Sequence, residues 1–110
     1  MNEIPNKQRL IQKVIERFDF QRMCDIMTIL NWKWNFMAVP TVDELIERAY
    51  SLLEEAADKF IKFGAKEDVG ISTGGFEVIV GYRNYGADDK LTMQLRFVTI
   101  DSYVTENEEE

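Results

Sequence analysis

The chain has 110 residues, 45% of them apolar, a formal net charge of −7, one cysteine and no histidine. That is room for one domain around one core. A lone Cys24 excludes an internal disulfide, and no apolar run approaches the ~20 residues of a bilayer crossing. The acidic balance argues against generic nucleic-acid binding, which rests on neutralising many phosphates. With nothing resembling a secretory leader, the expectation is a soluble protein of the cytoplasm.

The charge is unevenly placed. Glu106, Glu108, Glu109 and Glu110 supply −4 in a tail too polar to pack, which leaves −3 on the body. The expected layout is therefore a single domain over residues 1–105 followed by an acidic end over 106–110.

In chain order, Pro5-Asn6 opens a first helix, and Leu10, Ile11, Val14, Ile15 and Phe18 recur on one helical stripe. "FDF" then offers Asp19 as a new N-cap. Its capping box is only half present, because Arg22 stands where a Glu or Gln would reach back. Met23, Ile26, Met27 and Leu30 form a second stripe, so residues Asn6 to Leu30 hold either two helices or one bent helix. In "WKWNFMAV", Trp32, Trp34 and Phe36 alternate with Lys33 and Asn35, a period of two that predicts a short strand.

Thr41-Val42-Asp43-Glu44 is a complete capping box. The helix it opens is expected over Val42 to Phe63, with Leu45, Ala49, Leu52, Leu53, Ala56, Ala57 and Phe60 on its apolar stripe and Gly64 as its C′ residue. A polar link follows. Phe76, Val78, Val80 and Tyr82 alternate, "NYGADD" supplies turn chemistry, and Leu91, Met93, Leu95 and Phe97 alternate on the return, as in a hairpin. The fold class this predicts is α+β: two or three helices packed on a small antiparallel sheet made of the W-x-W strand and the C-terminal hairpin. Ile29, Phe36, Met37, Tyr50 and Phe63 lie off the main stripes, which predicts a homo-oligomer.

Chemistry-bearing patterns are sparse. Without histidine the chain lacks the commonest general base, the usual activator of a Ser or Cys nucleophile and the commonest metal ligand. Cys24 reads as a helix-wall residue beside Met23 and Met27. Asp88-Asp89 lacks the ladder of a calcium loop. No catalytic residue, metal or cofactor is assigned, and an enzyme is not the expectation.

Two features remain. Trp32 and Trp34, taken as a strand, share one face: they are either a core plug or a stacking platform for a planar ligand, with Lys33, Arg83 or Arg96 supplying charge. "STGGF" places Thr73, Gly74 and Gly75 before a strand. The glycine pair reads either as a concave backbone nest for an anion or as a glycine bulge at a strand entry. Taken together, Trp32, Lys33, Trp34, Thr73, Gly74, Gly75, Arg83 and Arg96 are the candidate ligand-binding residues, and a nucleotide-like small molecule is the candidate ligand. The alternative is a protein-directed inhibitor or structural subunit that binds a host or phage protein.

The combination "FDF", "MTILNWKW", "VPTVDEL", "LLEEA", "TGGF" and "LRFV", spanning about Phe18 to Val98, resembles small uncharacterised bacteriophage accessory proteins. The shared motifs are W-x-W, P-T-x-x-E-L and T-G-G-F. The resemblance implies a phage accessory gene acting in the host bacterial cytoplasm, with counter-defence as its expected setting. It carries no functional residue over.

Overall fold

The computed structural model describes residues 6–34, 38–85 and 88–106, and of 31–34, 83–85, 88 and 89 the backbone only. In chain order these form α1 (Lys7–Arg17), α2 (Phe20–Trp34), α3 (Val42–Lys62), β1 (Val69–Thr73), β2 (Phe76–Tyr85), β3 (Asp88–Phe97) and β4 (Ile100–Thr105). The four strands make one antiparallel meander in the order β1-β2-β3-β4. Helices cover one face of it: α1 lies over β4 and β3, α3 over β2 and β1, and α2 packs on α3. The fold is α+β, with helices on a small antiparallel sheet.

The N-terminal helical region is two helices. The Asp19 carboxylate accepts from the Arg22 N–H at 3.0 Å, so the half capping box is enough to restart the chain after Phe18. Phe18 and Phe20 bury themselves on either side of that restart and meet Phe76 of β2, with ring centroids 4.7, 6.0 and 6.3 Å apart. The kink thus carries an aromatic cluster into the core.

The strand expected at W-x-W is not there. Trp32, Lys33 and Trp34 continue α2, while Phe36 lies outside the described residues. Three alternating aromatics are too short a pattern to stop an elongating helix, which gains one hydrogen bond per added residue. The sheet is instead completed by two strands outside the expected set. β1 comes from the expected polar link, and β4 follows the hairpin after a two-residue turn.

Capping organises α3 as expected. The Thr41 hydroxyl accepts from the Glu44 N–H at 3.1 Å, and the Glu44 carboxylate accepts from the Thr41 N–H at 2.9 Å. At the other end the helix stops at Lys62, with Phe63 as C-cap. The Ala65 and Gly64 N–H groups return to the Phe60 and Ile61 carbonyls at 2.9 Å each, the Schellman pattern, with Gly64 at φ +83°. This turn sends the chain back as β1, antiparallel to α3.

The core is the helix stripes against the inner sheet face: Leu10, Ile11, Val14, Leu45, Leu53 and Phe60 above, and Phe76, Val78, Val80, Leu91, Met93, Leu95 and Val104 below. A buried polar contact ties the layers: Ser102 Oγ of β4 donates to the Val14 carbonyl of α1 at 2.8 Å. Among the described residues no helix is long and apolar enough to cross a membrane.

Candidate functional site: the seam between the long helix and the first strand

The two flanks of α3 differ. Toward α1, Asp58 pairs with Lys7 at 3.2 Å, Glu54 accepts from Gln8 at 3.2 Å, and the Tyr50 hydroxyl donates to Gln8. Residues six or two positions before Glu54 leave the helix on other sides at 100° per residue. This places Arg48 and Leu52 on the flank that overhangs β1. There a groove of about 570 Å³ opens, lined by Glu44, Glu47, Arg48, Ser51 and Leu52 of α3, by Thr73 and Gly74, and floored by Phe76. A second hollow of about 320 Å³ lies at the far end of β1, between Phe63, Lys66, Glu67, Asp68 and Val69. Because β1 runs back along α3, the hollows mark the two ends of one seam.

Between them runs an open strand edge. Thr73 and Phe76 close a two-residue turn and form the first hydrogen-bonded pair of the β1–β2 ladder. Antiparallel ladders alternate, so Ile71 and Val69 also bond to β2, and the N–H and C=O groups of Gly70 and Ser72 point away from the sheet. Among the described residues nothing bonds to those outward groups. The opposite edge is treated differently. Glu106 N–H bonds the Leu91 carbonyl at 2.7 Å, so by the same alternation the Tyr103 carbonyl faces outward, and Arg17 of α1 donates to it at 3.1 Å. On the β4 edge one outward carbonyl is bonded, whereas on the β1 edge, among the described residues, none of the outward groups is.

The seam's electrostatics lean negative. Glu44 is held below the ordinary carboxylate value, chiefly by the Thr41 backbone N–H, then by the Thr41 hydroxyl and more weakly by the charge of Arg48. It therefore stays ionised in the helix's first turn, where a negative charge also suits the dipole. Ser51 is an exposed hydroxyl in a chain with no histidine to activate it. What the seam offers chemically is backbone hydrogen bonds, carboxylates and a strip of apolar surface.

The sequence-derived candidates are scattered by comparison. Thr73 and Gly74 line the groove. Gly74 and Gly75, at φ +61° and +91°, are the two central residues of a type I′ hairpin turn, which is a third outcome beside the nest and the bulge. Gly75 faces inward to the Phe97 ring. Arg96 stands exposed on the sheet face away from the helices and pairs at 3.4 Å with Glu77, its register partner. Arg83 lies opposite Lys90 in the same register. Trp32 and Trp34 are helical, where residues two apart sit about 200° apart around the axis, so the alternation that gave them a shared face does not apply. Cys24 is half-buried, and its thiol donates to the Pro40 carbonyl at 3.5 Å.

Sequence reasoning misses the seam because β1 looks like a polar link. Its signal is present in "VGISTGGFEVIV": Val69, Ile71 and Thr73 alternate, and Gly-Gly is a two-residue hairpin turn. No protein-family model, curated protein or solved structure matches this chain.

Proposed function

We propose that this protein is a non-catalytic binding module that takes an extended segment of another protein along the seam between α3 and β1. One observation supports this above the rest: no described residue bonds the outward backbone groups of Gly70 and Ser72, which lie beside a groove under α3. A segment added to a bare edge gains main-chain hydrogen bonds whatever its side chains, and the adjoining groove receives alternate side chains. The likeness to bacteriophage accessory proteins favours a host protein as the source of the segment.

Capture of a nucleotide-like anion draws less support from the same geometry. At the glycine end of the groove two carboxylates, Glu44 and Glu47, face one guanidinium, Arg48. The glycine pair is accounted for by its turn.

Selection from a random seven-residue peptide library tests the proposal. Selected peptides are expected to bind the native chain and to shift the amide signals of Gly70 and Ser72. They should lose binding when alternate backbone nitrogens are N-methylated, which blocks strand pairing without altering the protein. Failure to select any peptide, or equal binding of the methylated forms, refutes the reading. So does a saturable thermal shift with mononucleotides or dinucleotides alone.

A further inference from the structure

We infer that the seam reads the direction of its segment, taking one that is basic, branched apolar and aromatic at its first, third and fifth positions. This rests on the strand-addition reading above. The two ends of the seam differ in character. Beside Thr73 and Gly74 the groove holds two carboxylates, Glu44 and Glu47, and one cation, Arg48. The Arg48 charge acts on Glu44, and among the described residues none forms an ion pair with Glu47. Leu52 and Phe76 line the same groove, so a Lys or Arg lays its stem on apolar surface and brings its charge to Glu47.

The Val69 end is balanced in charge, because Lys66 offsets Glu67 in the hollow there. The Asp68 carboxylate is already engaged and lies over Gly81, on the sheet face away from α3. What this end offers is the Phe63 ring, 66% exposed, against which a second aromatic ring sheds water and packs. Between the ends Val69 and Ile71 are half-buried, and Glu55 on α3 is paired with Lys59 at 3.5 Å. A charge placed there loses hydration for no partner, whereas a branched apolar side chain does not. The spacing follows from the ladder. Val69, Ile71 and Thr73 face the helix side, as do the first, third and fifth residues of a strand laid opposite them. Four residue steps span about 13 Å at the usual strand rise, which is the reach from Thr73 to Val69. The sheet is antiparallel throughout and antiparallel pairs are the more stable, so the first residue of the segment lies at Thr73.

The test uses capped synthetic peptides on the full chain: Ser-Lys-Thr-Val-Thr-Phe-Ser, its exact reversal, and the forward sequence with Gln for Lys or Ala for Phe. By fluorescence anisotropy the forward peptide is expected to bind about fivefold tighter than each of the others, as one exposed ion pair or one ring contact allows. Glu47→Lys should remove the advantage of Lys over Gln, and Phe63→Ala that of Phe over Ala. A nitroxide at the amino terminus of the forward peptide should broaden the amide signals of Thr73 and Gly74 and spare those of Lys66 and Glu67. Equal binding of the forward and reversed peptides, a preference for the reversed one, or broadening at Lys66 and Glu67 overturns the direction while strand addition stands. An advantage of Lys or Phe that survives its variant overturns that residue's assignment. If no peptide binds and the amide signals of Gly70 and Ser72 do not move, strand addition is itself wrong.

Discussion

At Thr41 a single hydroxyl satisfies a helix-terminal N–H, and Glu44 returns the bond. Thr41→Ala is expected to cost about 1 kcal/mol of stability, measured as a lowered denaturation midpoint with an unchanged slope. Glu44 has the lowered pKa of a carboxylate bonded in its charged form. A depressed folded value means a contribution that is present above the unfolded value and is lost as pH falls through the folded one. Acidification should therefore lower the midpoint, and Glu44→Gln should flatten that part of the acid limb. An identical acid limb in the two proteins would show that Glu44 contributes no linkage. The glycine turn makes a second residue-scale prediction. A Cβ at Gly75 would lie 3.1 Å from the Phe97 ring at φ +91°, whereas one at Gly74 meets nothing within 4 Å at φ +61°. Gly75→Ala should cost about 1–3 kcal/mol, Gly74→Ala about 1, and Gly74→Asn only a few tenths, since Asn tolerates the left-handed region. Equal melting losses at the two positions would contradict the turn.

Among the elements, those with a strong period or a complete cap were legible. α3 had a long apolar stripe and both end signals, and β2 and β3 alternated over long runs; all three formed close to the expected bounds. α2 shows where local pattern loses: its first turns set the helix, and the tryptophans follow it despite their alternation. β1 and β4 are the opposite case, short strands whose pairing with a neighbour supplies what their own sequence does not announce. Packing of α1 on the sheet makes an element-scale prediction. The Ser102 side chain, in a residue only 6% exposed, satisfies a helix carbonyl of α1. Ser102→Ala should destabilise by about 1 kcal/mol and Ser102→Val by more, because the valine adds volume in a close-packed layer. Equal stability of native and Ser102→Ala proteins would show that the bond contributes nothing net.

Over the whole molecule, coverage of apolar surface is uneven. Met23 at the start of α2 is fully buried and Ile26 and Met27 are half-buried, but Leu30 is 47% and Ile29 66% exposed. Tyr50 is half-buried through its bond to Gln8, Phe63 belongs to the seam, and Phe36 and Met37 lie outside the described residues. The self-association expected from all five positions therefore rests on α2. Sedimentation at micromolar concentration is expected to show reversible dimers, and Ile29→Lys with Leu30→Lys should give monomers with stability changed by less than about 0.5 kcal/mol. A native protein that sediments as a monomer would remove α2 as an interface.

Sequence by itself determined the fold class, the long capped helix and the central hairpin, because each rests on interactions within one element or one pair of neighbours: periodic burial, a capping box, strand alternation across a turn. Tertiary structure decided the rest of the candidate site. That Thr73 and Gly74 belong with Glu47, Arg48 and Leu52, about two dozen residues earlier, follows from the Schellman turn that folds β1 back along α3. That an outward carbonyl of the β4 edge is bonded follows from where Arg17 of the first helix comes to rest against the last strand. Neither is a property of a local stretch: backbone groups become an open edge only when pairing has been assigned everywhere else.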